Sequence, residues 1–103
     1  MSVIEITAEN FDEQILKSEK PVLLDFWASW CMPCRMLSPV VDEIAEEYDS
    51  IRVGKVNVEE QGELAEKFGI TSIPTLVVIK DGQTVDMSVG FKPKDEILDL
   101  LEL

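Results

Sequence analysis

Histidine is absent from this chain of 103 residues, and cysteine and tryptophan occur only twice each. Without histidine, a zinc site would need carboxylates or a second chain to complete its four ligands. Two cysteines do not make the disulfide framework of a small secreted protein, and such a framework would space them far apart. The cysteine pair is therefore either reactive or incidental.

Basic residues are also scarce: 9 Lys and Arg stand against 21 Asp and Glu, which gives a net charge of −12. Nucleic acids and anionic membranes both attract positively charged protein surfaces, so this charge argues against either partner. Solubility is the simpler explanation of the acidic balance. The charge would also favour encounters with partners that have positively charged rims.

Long apolar runs are missing as well, since no stretch reaches the roughly 18 residues that a membrane span needs. The first ten residues, MSVIEITAEN, contain no basic region followed by a long apolar one, so we expect no signal peptide and a cytoplasmic location. The length, with 46% hydrophobic and 29% charged residues, predicts a single globular domain over residues 1–103.

The middle of the chain alternates between strand-like and helix-like segments. Residues 22–28, VLLDFWA, form a nearly continuous apolar run that is typical of a strand covered on both faces. Apolar residues then recur at helical spacing as far as residue 48, which predicts an amphipathic helix beginning around Met32 to Cys34. Residues 51–58 alternate between apolar and polar, as in a further strand.

The two ends of the chain complete the pattern. Residues 3–6 predict a first strand, and Thr7 is a candidate cap for a helix with Phe11, Ile15 and Leu16 on its inward face. Later segments predict a short helix, a hairpin around an Asp-Gly turn and a closing helix, at residues 62–69, 75–89 and 94–103. Crossover units followed by a hairpin fit an α/β fold with one mixed sheet and helices on both faces.

The cysteines lie in FWASWCMPCRML, residues 26–37, at the predicted strand-to-helix junction. Three residues apart is about one helical turn, so the two sulfur atoms can meet. Cys31 would lie at the helix N-terminus, where free N–H groups stabilise a thiolate, and Cys34 would be more buried. Pro33 fits the first turn of a helix. This asymmetry suits thiol–disulfide exchange, although two core cysteines spaced by accident would look the same.

Asp25 interrupts the apolar run of its strand, and burying a carboxylate is costly without a partner or a function. Desolvation would raise its pKa, which suits a proton acceptor for the buried thiol of Cys34. Lys55, in the neighbouring predicted strand, could approach Asp25 and reduce the cost. The alternatives are a purely structural Asp25–Lys55 pair or an Asp at a solvated strand end.

With these residues in view, the chain resembles the thioredoxin family. DFWASWCMPC matches the family's strand and active-site segment, where W-C-G-P-C is usual, and the likeness continues through KVNV, FGITSIPTL and DGQTV. The resemblance implies a thioredoxin fold, with a central five-stranded mixed sheet flanked by four helices. It also implies reduction of protein disulfides with no bound cofactor and no metal, the electrons coming from an NADPH- or ferredoxin-linked thioredoxin reductase.

The resemblance also implies roles for individual residues. Cys31 would be the nucleophile and Cys34 the resolving thiol of a redox disulfide, with Asp25 as buried acid and base and Lys55 as its neighbour. The remaining matches would form the surface that binds disulfide-containing protein substrates, with Pro74 as a cis-proline: Trp30, Met32, Pro33, Ile73, Pro74 and Gly90. We expect a monomer.

Met32 departs from the family pattern, because glycine usually stands between the cysteines at this position. A methionine adds apolar surface beside Cys31 and removes the backbone freedom of glycine. It would therefore affect the choice of substrate and reductase, unless it is a neutral change at an exposed position. Arg35 similarly stands where lysine is frequent.

Three other functions remain open on the sequence. An oxidant or isomerase would use the same dithiol at a more oxidising potential. A binding module would keep the fold as a subunit of a complex without using the cysteines. Two chains could also share a metal through four thiolates.

Overall fold

The computed structural model describes residues 3–103. Within that range five strands form one sheet: β1 (Val3–Glu5), β2 (Val22–Trp27), β3 (Arg52–Asn57), β4 (Thr75–Lys80) and β5 (Gln83–Val89). The helical segments are a π-helical turn (Asp12–Leu16), α1 (Met32–Glu47), α2 (Gly62–Lys67) and α3 (Lys94–Leu100). The predicted α/β fold with a five-stranded mixed sheet and four helical segments is confirmed.

The strand order in the sheet is β1-β3-β2-β4-β5, so β2 lies at the centre. It pairs in parallel with β3 and antiparallel with β4, and β5 completes the hairpin at the edge. Because β2 is covered on both faces, its residues are apolar in both directions, apart from Asp25. The apolar run therefore predicted a central strand whose side chains are almost all buried.

Two apolar clusters fill the space above and below the sheet, because successive residues of a strand point to opposite faces. On the α1 and α3 face the buried residues include Leu23, Leu37, Val41, Leu76 and Ile97. On the opposite face they include Phe11, Ile15, Leu24, Phe26 and Leu64, from the π-helical turn, the strands and α2. The longest helix, α1, thus covers the sheet with the face that its apolar spacing predicted.

The hairpin turn between β4 and β5 is built by Asp81 and Gly82, with φ angles of 53° and 78°. Positive φ at both central residues is the geometry that Asp-Gly favours and that matches the twist of the strands. The turn predicted from these two residues is confirmed.

The first and last helices differ from the sequence predictions. Thr7 does not cap the first helix, because that helix begins only at Asp12. The backbone N–H of Thr7 donates instead to Asn10 Oδ1, in the turn before the helix. The backbone N–H of Lys17 bonds the carbonyl of Asp12, an i→i+5 bond. This wider turn accompanies an exposed Leu16, where an inward side chain was predicted. The closing helix ends at Leu100, earlier than predicted.

Candidate functional site

The cysteine pair lies where the chain leaves β2 and enters α1, as the sequence predicted. Cys31 is the N-cap residue, with extended backbone angles of φ −95° and ψ 111°, and it forms a disulfide with Cys34. Its Sγ accepts the backbone N–H of Cys34 at 3.2 Å. Pro33 lies in the first helical turn, where a missing N–H costs no intrahelical bond. The helix N-terminus thus directs an N–H at the sulfur of Cys31.

Both cysteines are buried in this disulfide form, since 5% of Cys31 and 2% of Cys34 is exposed. The prediction that Cys34 is the more buried of the two is confirmed, and Cys31 is itself buried in the oxidised state. The loop before β4 explains the burial, because Cys31 Sγ lies 3.8 Å from the carbonyl oxygen of Ile73. Ala28 packs into the same small cluster.

Asp25 lies in the middle of β2, buried on the face that α1 covers. Neither of its carboxylate oxygens has a hydrogen-bond partner among residues 3–103. Desolvation by burial raises the pKa of Asp25 to about 7, and Asp42 adds to this rise while the positive charge of Lys55 opposes it. The carboxyl group can therefore both accept and donate a proton near neutral pH.

Lys55 lies directly opposite Asp25 in the parallel register of β2 and β3. Its ammonium does not pair with Asp25, however. Lys55 Nζ donates to Ser38 Oγ at 2.6 Å and lies 2.8 Å from Asp42 Oδ1, both on α1. The alternative of a structural Asp25–Lys55 ion pair is therefore wrong, because α1 supplies Lys55 with other partners.

A cleft of about 280 Å³ connects these groups. It is lined by Asp25, Trp27, Cys34, Arg35, Ser38 and Lys55. Cys34 and the buried Asp25 thus line one cavity.

The other predicted site residues gather at the same end of the sheet, where β2 and β5 end and β4 begins. Trp30 is 70% exposed and Met32 62% exposed. The Ile73–Pro74 peptide is cis, and the backbone N–H of Gly90 donates to the carbonyl of Pro74 at 2.8 Å. A second cleft, of about 190 Å³, lies between Trp30 and Ile73.

Sequence reasoning missed two polar contacts around the site. Ser38 and Asp42 were not recognised as partners of Lys55, although they follow Cys34 at i+4 and i+8 and so share its stripe on α1. Glu59 accepts hydrogen bonds from the backbone N–H of Ser29 at 3.0 Å and from its hydroxyl at 2.8 Å. These bonds lower the pKa of Glu59 and tie the loop before Cys31 to the segment after β3. Nothing in the spacing of Ser29 and Glu59 signals their contact.

The described part of the chain, residues 3–103, contains no cluster of three or more His, Cys, Asp or Glu side chains that could hold a metal ion. Over the same range, every helix is too short or too polar to cross a membrane.

Comparison with known proteins gives consistent results. The thioredoxin family model matches residues 2–102. Thioredoxin 1 of Nostoc sp. is 52% identical over 99 residues, which cover 95% of this chain and 92% of the relative. The thioredoxin of Bacillus subtilis is 45% identical over 102 residues, which cover 98% of this chain and 96% of the relative.

Proteins of this family exchange electrons with a reductase and with disulfide-containing proteins, and this chain carries the cysteine pair that such exchange requires. The protein is thus a thiol–disulfide oxidoreductase that works by dithiol exchange. On the match over nearly its whole length, the chain belongs to the thioredoxin family.

Proposed function

We propose that this protein is a general reductant of protein disulfides, with Cys31 as the nucleophile and Cys34 as the resolving thiol. The observation that carries this order is the backbone N–H of Cys34, which is directed at Cys31 Sγ at 3.2 Å from the N-terminus of α1. A hydrogen bond to sulfur and the helix dipole both favour a thiolate there. Among residues 3–103 no backbone N–H is directed at Cys34 Sγ, and Cys34 lines the cleft that contains Asp25.

The exchange proceeds in two steps. The Cys31 thiolate attacks one sulfur of the substrate disulfide; that bond breaks, a mixed disulfide forms, and the other substrate sulfur leaves as a thiolate. Cys34 then loses its proton and attacks Cys31 Sγ. The mixed disulfide breaks, the second substrate thiol is released, and the Cys31–Cys34 disulfide forms. Two electrons have then passed to the substrate.

Asp25 is the proton acceptor for Cys34 in this proposal. Its pKa of about 7 lies close to neutral pH, so a large share of the protein has the carboxylate ready to take a proton. Lys55 acts as its neighbour and limits the rise of that pKa.

The surface around Cys31 is the substrate-binding surface in this proposal. The exposed apolar side chains of Trp30 and Met32 suit contact with unfolded or flexible segments of substrate. Ile73 places its backbone carbonyl beside the Cys31 sulfur, and Pro74 and Gly90, which are hydrogen-bonded to each other, extend the surface. Pro33 shapes the turn between the cysteines. Met32, in place of the glycine frequent in the family, enlarges the apolar part of this surface.

The source of electrons is a thioredoxin reductase, which is either NADPH-linked or ferredoxin-linked. We propose that the protein acts as a monomer and a single domain, without a bound cofactor, in the cytoplasm, where thiols are kept reduced. Turnover with purified reductases of the two types tests the electron source. Sedimentation tests the monomeric state, and cell fractionation tests the location.

The decisive experiment measures reduction of insulin disulfides with dithiothreitol as electron donor. Cys31→Ser is expected to lose turnover. Cys34→Ser, reduced and then freed of dithiothreitol before insulin is added, is expected to accumulate a mixed disulfide that intact-mass spectrometry detects, because neither Cys34 nor a small dithiol is present to resolve it. Val85→Ala, on the exposed edge strand β5, is the control and should turn over normally. Full turnover by Cys31→Ser would overturn the proposed mechanism.

A further inference from the structure

The position of the Lys55 ammonium is determined by α1 and not by its nearest neighbour in the sheet. Asp25 and Lys55 are register partners on adjacent parallel strands, so their side chains leave the same face of the sheet side by side. A buried carboxylate and a lysine in this arrangement would ordinarily attract each other strongly. Lys55 Nζ instead bonds Ser38 Oγ at 2.6 Å and Asp42 Oδ1 at 2.8 Å, and both Asp25 oxygens are without a hydrogen-bond partner in residues 3–103.

The cleft provides room for the alternative arrangement. Asp25, Ser38 and Lys55 all line the same cavity of about 280 Å³. A lysine side chain has several rotatable bonds and could turn toward the carboxyl group without displacing the backbone. The separation of the two charges is therefore maintained by the contacts of Lys55 on α1.

Few other charges face Asp25. The cavity receives Lys55 from β3 and Arg35 from α1, with Asp42 one helical turn beyond Ser38. On the other side, β4 places the apolar Leu76 opposite Asp25. Cys34 is held in the disulfide. Of the two cations that line the cavity, Lys55 is the one beside Asp25 in the sheet register, so a small movement would bring its charge to the carboxyl group.

We propose that Ser38 and Asp42 are positioning residues that hold the Lys55 ammonium away from the Asp25 carboxyl group and so keep that group able to exchange protons near neutral pH. Ser38 supplies the neutral hydroxyl and Asp42 the counter-charge, so Lys55 is paired without using Asp25. If Lys55 moved to Asp25, the carboxylate would stay ionised to lower pH and would be a weaker base for Cys34. The functional consequence rests on the proposed role of Asp25 as proton acceptor.

The test is the pKa of Asp25 itself, measured by the pH titration of its ¹³C carboxyl signal in the disulfide form, where no cysteine titrates. Ser38→Ala removes one of the two bonds of Lys55 and suits a helix interior. It should lower the pKa of Asp25 by about one unit, since an approaching opposite charge has at least that effect. Ser38→Thr keeps the hydroxyl group and should restore the wild-type value.

A mutant cycle with Lys55 separates this role from a merely structural one. Lys55→Met removes the attracting charge and should raise the pKa of Asp25. In the double variant, Ser38→Ala should not change the pKa of Asp25 from its value in Lys55→Met, because no ammonium remains to be released. An equal lowering in both backgrounds, or no lowering by Ser38→Ala alone, would overturn the proposal.

The same variants distinguish failure here from failure of the proposed function. In the insulin assay, Ser38→Ala should shift the pH profile of turnover toward lower pH, in step with the carboxyl titration. If Asp25→Asn turns over normally, the proton role of Asp25 is wrong. The titration results would still decide whether Ser38 positions Lys55.

Discussion

The two faces of the central sheet bury different kinds of side chain. Under the π-helical turn and α2 the ring of Phe68 lies 5.7 Å from that of Phe11 and 5.4 Å from that of Phe26. The buried Thr75 also lies on this face, beside Phe26 in the register, but its hydroxyl donates to the carbonyl of Ser72. Under α1 and α3 the sheet buries Asp25 and Ser88, whose side-chain oxygens are without a hydrogen-bond partner among the described residues. Both lie beside Leu76 in the register, which places them on that face.

Both faces bury an apolar cluster, and they differ in the unpartnered polar groups under α1 and α3. An apolar face contributes free energy of folding in proportion to the area it removes from water. Buried polar groups without partners oppose folding instead. The face that carries Asp25 is also the face on which Cys34, Ser38 and Lys55 meet. The cost in folding free energy of the unpartnered polar groups is therefore found on the side of the sheet that carries the thiol chemistry.

The largest stability effect is expected on the apolar face. Phe26→Ala removes a fully buried ring that contacts Phe68. It should lower the free energy of unfolding by about 3–5 kcal/mol, because both the transfer of the ring and the cavity it leaves contribute. Urea unfolding of the oxidised protein measures this. Val85→Ala, at an exposed position, should change it by less than about 0.5 kcal/mol.

An intermediate effect is expected on the opposite face, as a dependence of stability on pH. The pKa of Asp25 is about 7 in the folded protein, against an ordinary value of 3.8 that applies to the unfolded chain. As the pH rises, the unfolded chain therefore loses the Asp25 proton at a lower pH than the folded protein does. Stability should therefore fall as pH rises from about 4 to about 7 and level off above that. Between pH 5 and pH 8 the loss should be about 2.5 kcal/mol.

Asp25→Asn should abolish that component, and urea unfolding at the two pH values measures it. Glu63→Gln, which removes an exposed carboxylate on α2, is the matched control and should keep the wild-type dependence. If Asp25→Asn retained the full dependence of stability on pH, another group would be responsible. The two faces would then not differ in the way that a buried carboxyl group requires.

The smallest effect is expected from two serines that are equally buried, each 8% exposed. Ser88 Oγ has no partner among residues 3–103, whereas Ser18 Oγ donates to the carbonyl of Lys20 at 2.8 Å. Ser88→Ala should leave stability unchanged or raise it by up to about 1 kcal/mol, and Ser18→Ala should lower it by about 1 kcal/mol. Thermal unfolding of the two variants side by side decides this, and a larger loss for Ser88→Ala would contradict the comparison.

Much of the fold was predictable because its signals are local. The apolar run VLLDFWA, the helical spacing after Cys34 and the Asp81-Gly82 turn each depend on neighbouring residues only, and all three predictions are confirmed. The junction that carries Cys31 and Cys34 followed from the same pattern. Where packing between distant segments decides, prediction was wrong: Leu16 is exposed and Thr7 caps no helix.

The sequence by itself determined that two cysteines share the first turn of a helix and that an acidic residue interrupts a buried strand. Helical spacing and hydrophobic burial are enough to require both. Only the tertiary structure decided that Ile73 covers Cys31, and that Lys55 bonds Ser38 and Asp42 instead of Asp25. Those contacts join residues 13 to 42 positions apart, and which of several possible partners a side chain takes depends on how helix and sheet pack.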